Sequence, residues 1–251
     1  MKKRPITTLF MLESLDGKIS SGNTDELDAD KDWCKIGGVK EGLHQYYEIE
    51  STTDYFSLNT GRVMAKIGVN DRKEYHNKVE VKFVIIDNKP HLNENGIDYI
   101  CHWVESLILV TTNKKHIAYS LTDKYDNLDI LYYEELDLTR LLEDLSSKYN
   151  AERLTIQSGG NLNGLFLRNN LIDYVNIVIA PLLVGGKDVS TLIDGEAISY
   201  SEELNKLKKR CVSNYNKAKG YDYRYQEWLF SRQTENFERM RMKIIGVLCK
   251  M

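Results

Sequence analysis

The residues that decide the fold class run from 154 to 188 and read LTIQSGGNLNGLFLRNNLIDYVNIVIAPLLVGGKD. Their hydrophobic pattern predicts a strand over residues 153–157, a helix over residues 161–170 and a second strand over residues 174–180. One stripe of the predicted helix carries Leu162, Leu165 and Phe166. Because strand, helix and strand in this order form the unit of a parallel sheet, this stretch predicts an α/β fold.

The rest of the chain continues the alternation of strands and helices. Further strands are predicted at residues 6–12, 55–58, 81–86, 107–112 and 128–132. Further helices are predicted at residues 39–50, 62–67, 114–121 and 138–149, with Asp137 as the cap of the last one. A late strand at residues 221–229 has residues 211–215 as its candidate hairpin partner. Together these elements predict a mostly parallel central sheet with helices on both faces and an antiparallel C-terminal edge.

The chain has 251 residues, which is enough for one large domain or two small ones. Its three prolines leave no proline-rich linker. We therefore expect a single domain over residues 1–230, followed by a tail over residues 231–251. The sequence leaves open whether that segment is a free tail, a docking helix or part of a subunit contact.

Composition and charge exclude several function classes. The chain has 34 Lys and Arg against 37 Asp and Glu, so its net charge of −3 provides no basic footprint for nucleic acid. No window contains the 18 or so apolar residues of a membrane-spanning helix, and the N-terminus does not resemble a signal peptide. The four cysteines, at positions 34, 101, 211 and 249, are widely spaced. This spacing predicts reduced thiols and a cytoplasmic location.

The histidines and cysteines show no metal-ligand spacing. The five histidines stand at positions 44, 76, 91, 102 and 116, and we expect each to be a surface or structural residue. We therefore predict no bound metal.

Two glycine pairs follow predicted strands of the fold-deciding stretch, namely Gly159-Gly160 and Gly185-Gly186. Glycine lets backbone N–H groups approach a phosphate closely, and the helix that begins near Asn161 would add the positive end of its dipole. Both pairs would lie at the carboxyl edge of the sheet, where open α/β folds bind ligands. The alternative interpretation is that each pair simply forms a tight turn.

Several short motifs occur in the order that is typical of one enzyme family. They are Arg4-Pro5-Ile-Thr-Thr, Ser14-Leu-Asp-Gly-Lys-Ile19, Leu107-Ile-Leu-Val-Thr-Thr112, Gly159-Gly-Asn-Leu, Leu171-Ile-Asp-Tyr-Val and Ile179-Ala-Pro-Leu-Leu-Val-Gly-Gly186. With these motifs the chain resembles the reductase domain of the bifunctional riboflavin-biosynthesis deaminase-reductase, whose fold is similar to that of dihydrofolate reductase. The resemblance extends from residue 4 to about residue 230.

This resemblance implies a cytoplasmic, homodimeric reductase that uses NADPH. Its substrate would be 5-amino-6-(5-phosphoribosylamino)uracil, and hydride would pass to C1′ of the ribose to give the ribitylamino product. Two alternatives stay open: a dihydrofolate reductase-like enzyme acting on another heterocycle or carbonyl, and a dinucleotide-binding module without catalysis.

The resemblance also assigns roles to individual residues. Asp16 and Lys18 are the candidate catalytic pair, although Asp16 could merely shape its turn and Lys18 could be a solvated cation. The candidate substrate-binding residues are Ser14, Arg62 and Ser158, although Arg62 could be a surface residue of its helix. The candidate cofactor-binding residues are Thr60, Gly61, Thr111, Thr112, Gly159, Gly160, Asn161, Gly185 and Gly186. Lys114 or Lys115 could neutralise a 2′-phosphate.

One position departs from the family pattern in a way that affects the substrate. The pyrimidine reductases usually carry Glu directly before the first Gly-Gly pair, on the substrate side, whereas this chain has Ser158. A hydroxyl group cannot supply the charge of a carboxylate near neutral pH. The zinc motif of the deaminase half, H-x-E followed by P-C-x-x-C, does not occur in this sequence.

Overall fold

The computed structural model describes residues 3–197, 207–209, 224–231 and 239–246. The strands are β1 (Ile6–Ser14), β2 (Phe56–Thr60), β3 (Val79–Ile86), β4 (Val104–Thr111), β5 (Leu128–Tyr132), β6 (Arg153–Ile156), β7 (Tyr174–Ala180), β8 (Leu207–Lys209), β9 (Arg224–Ser231) and β10 (Arg239–Gly246). The α-helices are α1 (Ala29–Asp32), α2 (Lys40–Glu50), α3 (Gly61–Lys66), α4 (Glu94–Trp103), α5 (Leu138–Tyr149) and α6 (Gly160–Arg168). Short 3₁₀ helices occupy Trp33–Lys35, Val69–Asp71 and Ile117–Leu121.

The chain divides into two compact units that alternate along the sequence. The first contains Asp54–Gly159 together with the first few residues, and the second contains Ile6–Thr53 and the described residues from Gly160 onward. Each unit has its own strands and its own hydrophobic core.

The first unit is built on an all-parallel arrangement of strands in the order β5-β4-β3-β2-β6. The β-branched runs of β3 and β4 become completely buried, as Ile85 and Ile108 are fully inaccessible to solvent. On one side these strands pack against α4, which contributes Ile97 and Ile100 to the core. A near-continuous apolar run is what a parallel strand covered on both faces requires.

The second unit has the strand order β1-β7-β10-β9-β8. Strand β7 pairs in parallel with both β1 and β10, whereas β9 is antiparallel to both β10 and β8. Its core packs Phe10 of β1 against Tyr46 of α2, with the two rings stacked 5.3 Å apart. The predicted α/β class, with mostly parallel strands and an antiparallel C-terminal edge, is confirmed.

Helix α5 shows how closely a local pattern can determine an element. The Asp137 carboxylate accepts hydrogen bonds from the backbone N–H groups of Thr139 and Arg140, at 2.8 and 3.3 Å. At the other end, Asn150 adopts a left-handed conformation with φ of 57°. The predicted apolar face is buried at Leu138, Leu141, Leu142 and Leu145. The prediction for this helix is confirmed in both extent and cap.

Three predictions about helices need correction. Helix α4 occupies residues for which no helix was predicted, and Asn93 caps it by accepting a hydrogen bond from the Gly96 N–H at 2.8 Å. The predicted helix over residues 114–121 is instead a short 3₁₀ helix over Ile117–Leu121. In α6, Leu165 is 51% exposed, because the buried face is formed by Gly160, Asn163, Gly164 and Phe166.

The C-terminal strands also differ from the expectation. The prediction that the last strand ends near residue 229 is wrong, because β10 follows β9 and lies between β9 and β7. The antiparallel partner of β9 on its other side is β8, and the predicted partner over residues 211–215 lies outside the described residues. Within the described residues no helix is long and apolar enough to cross a membrane.

Candidate functional site

The end of β1 forms a tightly hydrogen-bonded turn in the second unit. The buried Ser14 hydroxyl donates to Asp16 Oδ1 at 2.5 Å and accepts a hydrogen bond from the Lys18 backbone N–H at 2.9 Å. The Ser14 N–H in turn donates to the Lys18 carbonyl at 2.8 Å. Gly17 has φ of 75°, a left-handed conformation that favours glycine. The Ser-Leu-Asp-Gly-Lys motif therefore encodes one rigid turn.

Asp16 connects this turn to the segment that follows β7. Its carboxylate accepts hydrogen bonds from the backbone N–H groups of Val184 and Gly185, at 3.1 and 2.6 Å. The hydrogen bond from Ser14, followed by those from the two N–H groups, lowers the pKa of Asp16 to about 2. Asp16 is therefore ionised at neutral pH and holds two chain segments together.

Lys18 is half-buried rather than a fully solvated cation. Its Nζ donates a hydrogen bond to the Val189 carbonyl at 3.1 Å, and its backbone forms an isolated antiparallel bridge with Thr191. The ammonium group is thus fixed in position beside the turn. A group that orients an anionic or carbonyl-bearing ligand has to be fixed in this way.

We predict that Asp16→Asn loosens the segment after β7. Loss of the carboxylate charge makes residue 16 a weaker acceptor for the backbone N–H groups of Val184 and Gly185. We therefore expect faster hydrogen exchange at these two amides, measured by NMR. Because the pKa of Asp16 is lowered on folding, its contribution should be present above the unfolded-state pKa and be lost as the pH falls toward about 2. Asp188→Asn, at an exposed position nearby, is the control and should leave both amides unchanged. Unchanged exchange in Asp16→Asn would contradict this account.

The second glycine pair fits the tight-turn interpretation. Gly185 and Gly186 have φ of 73° and 80°, and a Cβ on Gly186 would lie 2.8 Å from Val189 Cγ2. The N–H of Gly185 already donates to Asp16. Glycine is therefore required here by backbone conformation, and the structure brings the predicted phosphate-binding Gly185 into contact with the predicted catalytic Asp16.

The first glycine pair contains two different environments. A Cβ on Gly160 would lie 2.3 Å from the Thr191 carbonyl oxygen and 2.4 Å from Asp194 Oδ2, so this glycine is needed for close packing. A Cβ on Gly159 would meet no atom within 4 Å. Gly159 is thus the member of the pair that leaves the backbone open to a ligand.

In the first unit, two of the predicted cofactor residues, Gly61 and Thr111, lie beside Asp87, a buried residue that no sequence motif indicated. Thr60 caps α3 by accepting a hydrogen bond from the Val63 N–H at 3.3 Å, and a Cβ on Gly61 would lie 2.2 Å from Asp87 Cγ. The Thr111 hydroxyl donates to the Asp87 carbonyl oxygen at 2.9 Å. Asp87 follows β3 directly.

The Asp87 carboxylate is fully buried and well satisfied. It accepts hydrogen bonds from the backbone N–H groups of His91 and Leu92 at 3.1 and 3.0 Å, and from His116 Nε2 at 3.1 Å. His116 is itself buried, and its Nδ1 accepts the Ala118 N–H at 3.1 Å, which places the ring proton on Nε2. Burial raises the pKa of Asp87, but these hydrogen bonds outweigh it and the net pKa lies below its usual value.

The remaining predicted residues lie at strand ends and helix starts. Arg62 is exposed in the first turn of α3, and Asn161 is exposed in the first turn of α6. Ser158 is buried, one residue before Gly159. The other residues of this group are Thr112, whose N–H donates to Asn88 Oδ1 at 3.0 Å, and the exposed Lys114 and Lys115.

A family model called the RibD C-terminal domain matches residues 5–220. The chain belongs to this family. The resemblance drawn from the Ser14–Lys18 and Gly-Gly motifs is thereby confirmed.

Among curated relatives, the 2,5-diamino-6-ribosylamino-4(3H)-pyrimidinone 5′-phosphate reductase of Methanothermobacter thermautotrophicus is 41% identical over 73 residues, which are 29% of this chain and 33% of that protein. The enzyme of the same name from Archaeoglobus fulgidus is 33% identical over 76 residues. The matches thus span about a third of the length of these relatives.

Two solved structures of the RibD type share the fold. Acinetobacter baumannii RibD is similar with a TM-score of 0.60 and 18% identity, over 96% of this chain and 58% of that one. The Saccharomyces riboflavin biosynthesis reductase Rib7 is similar with a TM-score of 0.51 and 18% identity, over 83% of this chain and 86% of that one. At these identities the likeness establishes the common fold.

Proposed function

We propose that this protein is an NADPH-dependent reductase of riboflavin biosynthesis that acts on a ribosylaminopyrimidine 5′-phosphate. The observation that carries the proposal is the family match over residues 5–220, together with curated relatives that are named as this reductase. The proposed substrate is 5-amino-6-(5-phosphoribosylamino)uracil, the compound that the family resemblance implies. We further propose a cytoplasmic homodimer whose reductase domain contains residues 1–230 together with β10.

The residues of the chain fit a bound dinucleotide at specific places. Gly159 leaves space where any other residue would carry a side chain, so its backbone can approach a pyrophosphate. In the first unit, Thr60 and Thr111 end strands β2 and β4, and Gly61 begins helix α3. In the proposal, these three residues form the second place of contact with the dinucleotide. When bound, the nicotinamide supplies the hydride, and the protein has to orient the two rings and manage charge and protons.

On the substrate side, the proposal gives Lys18 and Ser14 distinct tasks. The half-buried ammonium group of Lys18 would bind an electronegative group of the substrate, with its position set by the hydrogen bond to the Val189 carbonyl. Ser14 keeps the turn in shape through Asp16. Asp16, ionised and engaged with two backbone N–H groups, orients this turn and does not supply a proton.

The test of the proposed function is binding of NADPH, measured by cofactor fluorescence, and turnover of the pyrimidine, measured by loss of NADPH absorbance. We expect binding, turnover and weaker binding of NADH. Absence of NADPH binding at millimolar concentration would refute the proposal.

We predict that Gly159→Asp weakens NADPH binding by about 10- to 100-fold, because a carboxylate would be placed against the pyrophosphate. Gly159→Ala is the matched control and, since a Cβ there meets no neighbouring atom, it should keep the fold and most of the affinity. Both variants should unfold at the wild-type temperature. Equal affinity of the Asp variant and the wild type would show that this glycine does not contact the cofactor.

A second candidate function rests on Ser158. This buried hydroxyl stands where the pyrimidine reductases usually have Glu, which favours a different heterocycle or carbonyl as substrate. If the native protein binds NADPH but does not reduce the pyrimidine, and Ser158→Glu does, this second function is preferred. Binding of NADPH without turnover of any reducible heterocycle would instead indicate a non-catalytic dinucleotide-binding module.

A further inference from the structure

Glu13 is a carboxyl group at the end of β1 that no motif of the sequence draws attention to. It immediately precedes Ser14 and therefore lies beside the turn that carries Asp16 and Lys18. Its side chain is half-buried. The side chain of Glu13 forms no hydrogen bond or ion pair with the residues that the structure describes, which is unusual for a carboxyl group that is partly removed from water.

The pleat of β1 separates Glu13 from the hydrophobic core of the second unit. Phe10 and Leu12 point into that core, so Glu13 points to the opposite face of the strand, together with Leu9 and Met11. In the parallel pairing with β7, Glu13 is opposite Ile179, so both side chains share this face.

This opposite face opens toward the carboxyl end of the strands. Leu9 and Ile177 are buried, at 1% and 6% exposure, whereas Met11, Glu13 and Ile179 are only half-buried. The end of the face is thus a partly open apolar surface with one carboxyl group on it. A small apolar recess with a few polar groups is typical of ligand sites in proteins.

The charged groups that neighbour Glu13 along the chain are occupied elsewhere. Asp16 holds the Val184 and Gly185 amides, and Lys18 Nζ donates to the Val189 carbonyl. On the same face of β7, the register places Ile177 and Ile179 beside Met11 and Glu13. Burial alone accounts for the raised pKa of Glu13. Its neutral, proton-carrying form is therefore favoured more than in an exposed glutamate.

We propose that Glu13 is the proton-donating residue of the reductase site. The inference deepens the proposed function and depends on it. In this proposal, the ribosylamino nitrogen of the substrate faces the apolar end of β1 and β7.

The proposed step balances as follows. The ribosylamine opens to its imine when the C1′–O bond breaks and the proton on nitrogen moves to that oxygen. A hydride from the reduced nicotinamide, carrying two electrons, then adds to C1′ and breaks the C=N π bond. Glu13 donates its carboxyl proton to the nitrogen and becomes a carboxylate. It takes a proton from solvent before the next turnover, so the net reaction consumes one NADPH and one proton.

The experiment compares Glu13→Gln with wild type in a kcat against pH profile. Glutamine keeps the shape but has no proton to donate, so we expect kcat to fall by roughly 100-fold with little change in KM. Wild-type kcat should fall as the pH rises through the pKa of Glu13, and the variant should lack this limb. Glu13→Asp, which keeps the carboxyl group, should recover part of the activity. Glu48→Gln on the exposed surface of α2 is the control and should match wild type.

A second readout does not depend on activity. In protein labelled with ¹³C at the glutamate carboxyl carbon, the resonance missing from Glu13→Gln belongs to Glu13, and we expect it to titrate above an ordinary glutamate. Titration at the ordinary value, or wild-type turnover retained in Glu13→Gln, would overturn the inference and leave the proposed function standing. Absence of turnover by the wild type would overturn the proposed function and this inference with it.

Discussion

Asp87→Asn should lower the free energy of unfolding by about 3 kcal/mol, because an amide group cannot accept all the hydrogen bonds that the buried carboxylate accepts. One carboxylate oxygen would become an NH₂ group that faces donors, among them the His91 and Leu92 amides and His116 Nε2. Each buried donor that loses its acceptor costs about 1–3 kcal/mol. The same substitution should disturb Gly61, whose Cα faces this carboxylate.

Urea unfolding followed by circular dichroism measures this effect. Asp123→Asn, at an exposed position in the same unit, is the control and should change stability by less than about 0.5 kcal/mol. A loss in Asp87→Asn no larger than in this control would contradict the role assigned to the buried carboxylate.

The pH dependence of stability gives a separate check on Asp87. Its pKa is lowered on folding, so its contribution is present above the unfolded-state pKa and is lost as the pH falls through the folded-state value. The stability difference between wild type and Asp87→Asn should therefore shrink in acid. A difference that stays constant down to acid unfolding would mean that the ionised form is not the one that stabilises the fold.

Gly160→Ala should lower the free energy of unfolding by about 2 kcal/mol, whereas Gly159→Ala should change it by less than about 0.5 kcal/mol. The reason is contact: a methyl group at position 160 would lie 2.3 Å from the Thr191 carbonyl oxygen, and at position 159 it would meet nothing within 4 Å. The Thr191 oxygen is a backbone atom, so the 191–194 segment has to move as a whole. That segment is further held by the Asp194 N–H, which donates to the Gly160 carbonyl at 2.9 Å.

Thermal unfolding of the two alanine variants and the wild type tests this difference. The paired design matters for ligand binding as well, because loss of NADPH affinity in a Gly160 variant can result from this disturbed packing alone. Gly159 is therefore the position at which binding should be probed. Equal destabilisation by the two substitutions would show that the packing of Thr191 against Gly160 is not what requires glycine.

The elements that the sequence predicted well are those whose pattern is local. The β-branched runs of β3, β4 and β7 and the capped amphipathic α5 need no information from distant residues. Helix α4 was not predicted because its first residues, Asn93 to Gly96, are polar or glycine and have the composition of a loop. Only the structure shows that Asn93 caps a helix here. Leu165 was assigned to the wrong face, because the close approach of the 191–194 segment selects glycine for the buried side of α6.

The candidate site was only partly visible in the sequence, for a related reason. Motif order identified the Ser14–Lys18 turn and the glycine pairs, but motifs do not reveal which groups are already engaged, such as Asp16 with Gly185. Asp87 and His116 are 29 residues apart, so their pairing arises only from the tertiary fold. Glu13 becomes a candidate only once the burial of its side chain, and the absence of a side-chain partner in the part of the chain that the structure describes, are known.

The position of β10 has a consequence for synthesis of the chain. Strand β7 pairs on one side with β1, which is synthesised long before it. On the other side it pairs with β10, which begins 59 residues after the end of β7 (Ala180 to Arg239). At ordinary translation rates β7 therefore exposes one unpaired edge for several seconds. Strand β9 is made before β10, but it has no strand through which to join β7 until β10 follows. An open edge of this kind can pair with another chain, so we expect nascent chains halted before residue 239 to be the species most prone to aggregation and most dependent on chaperones.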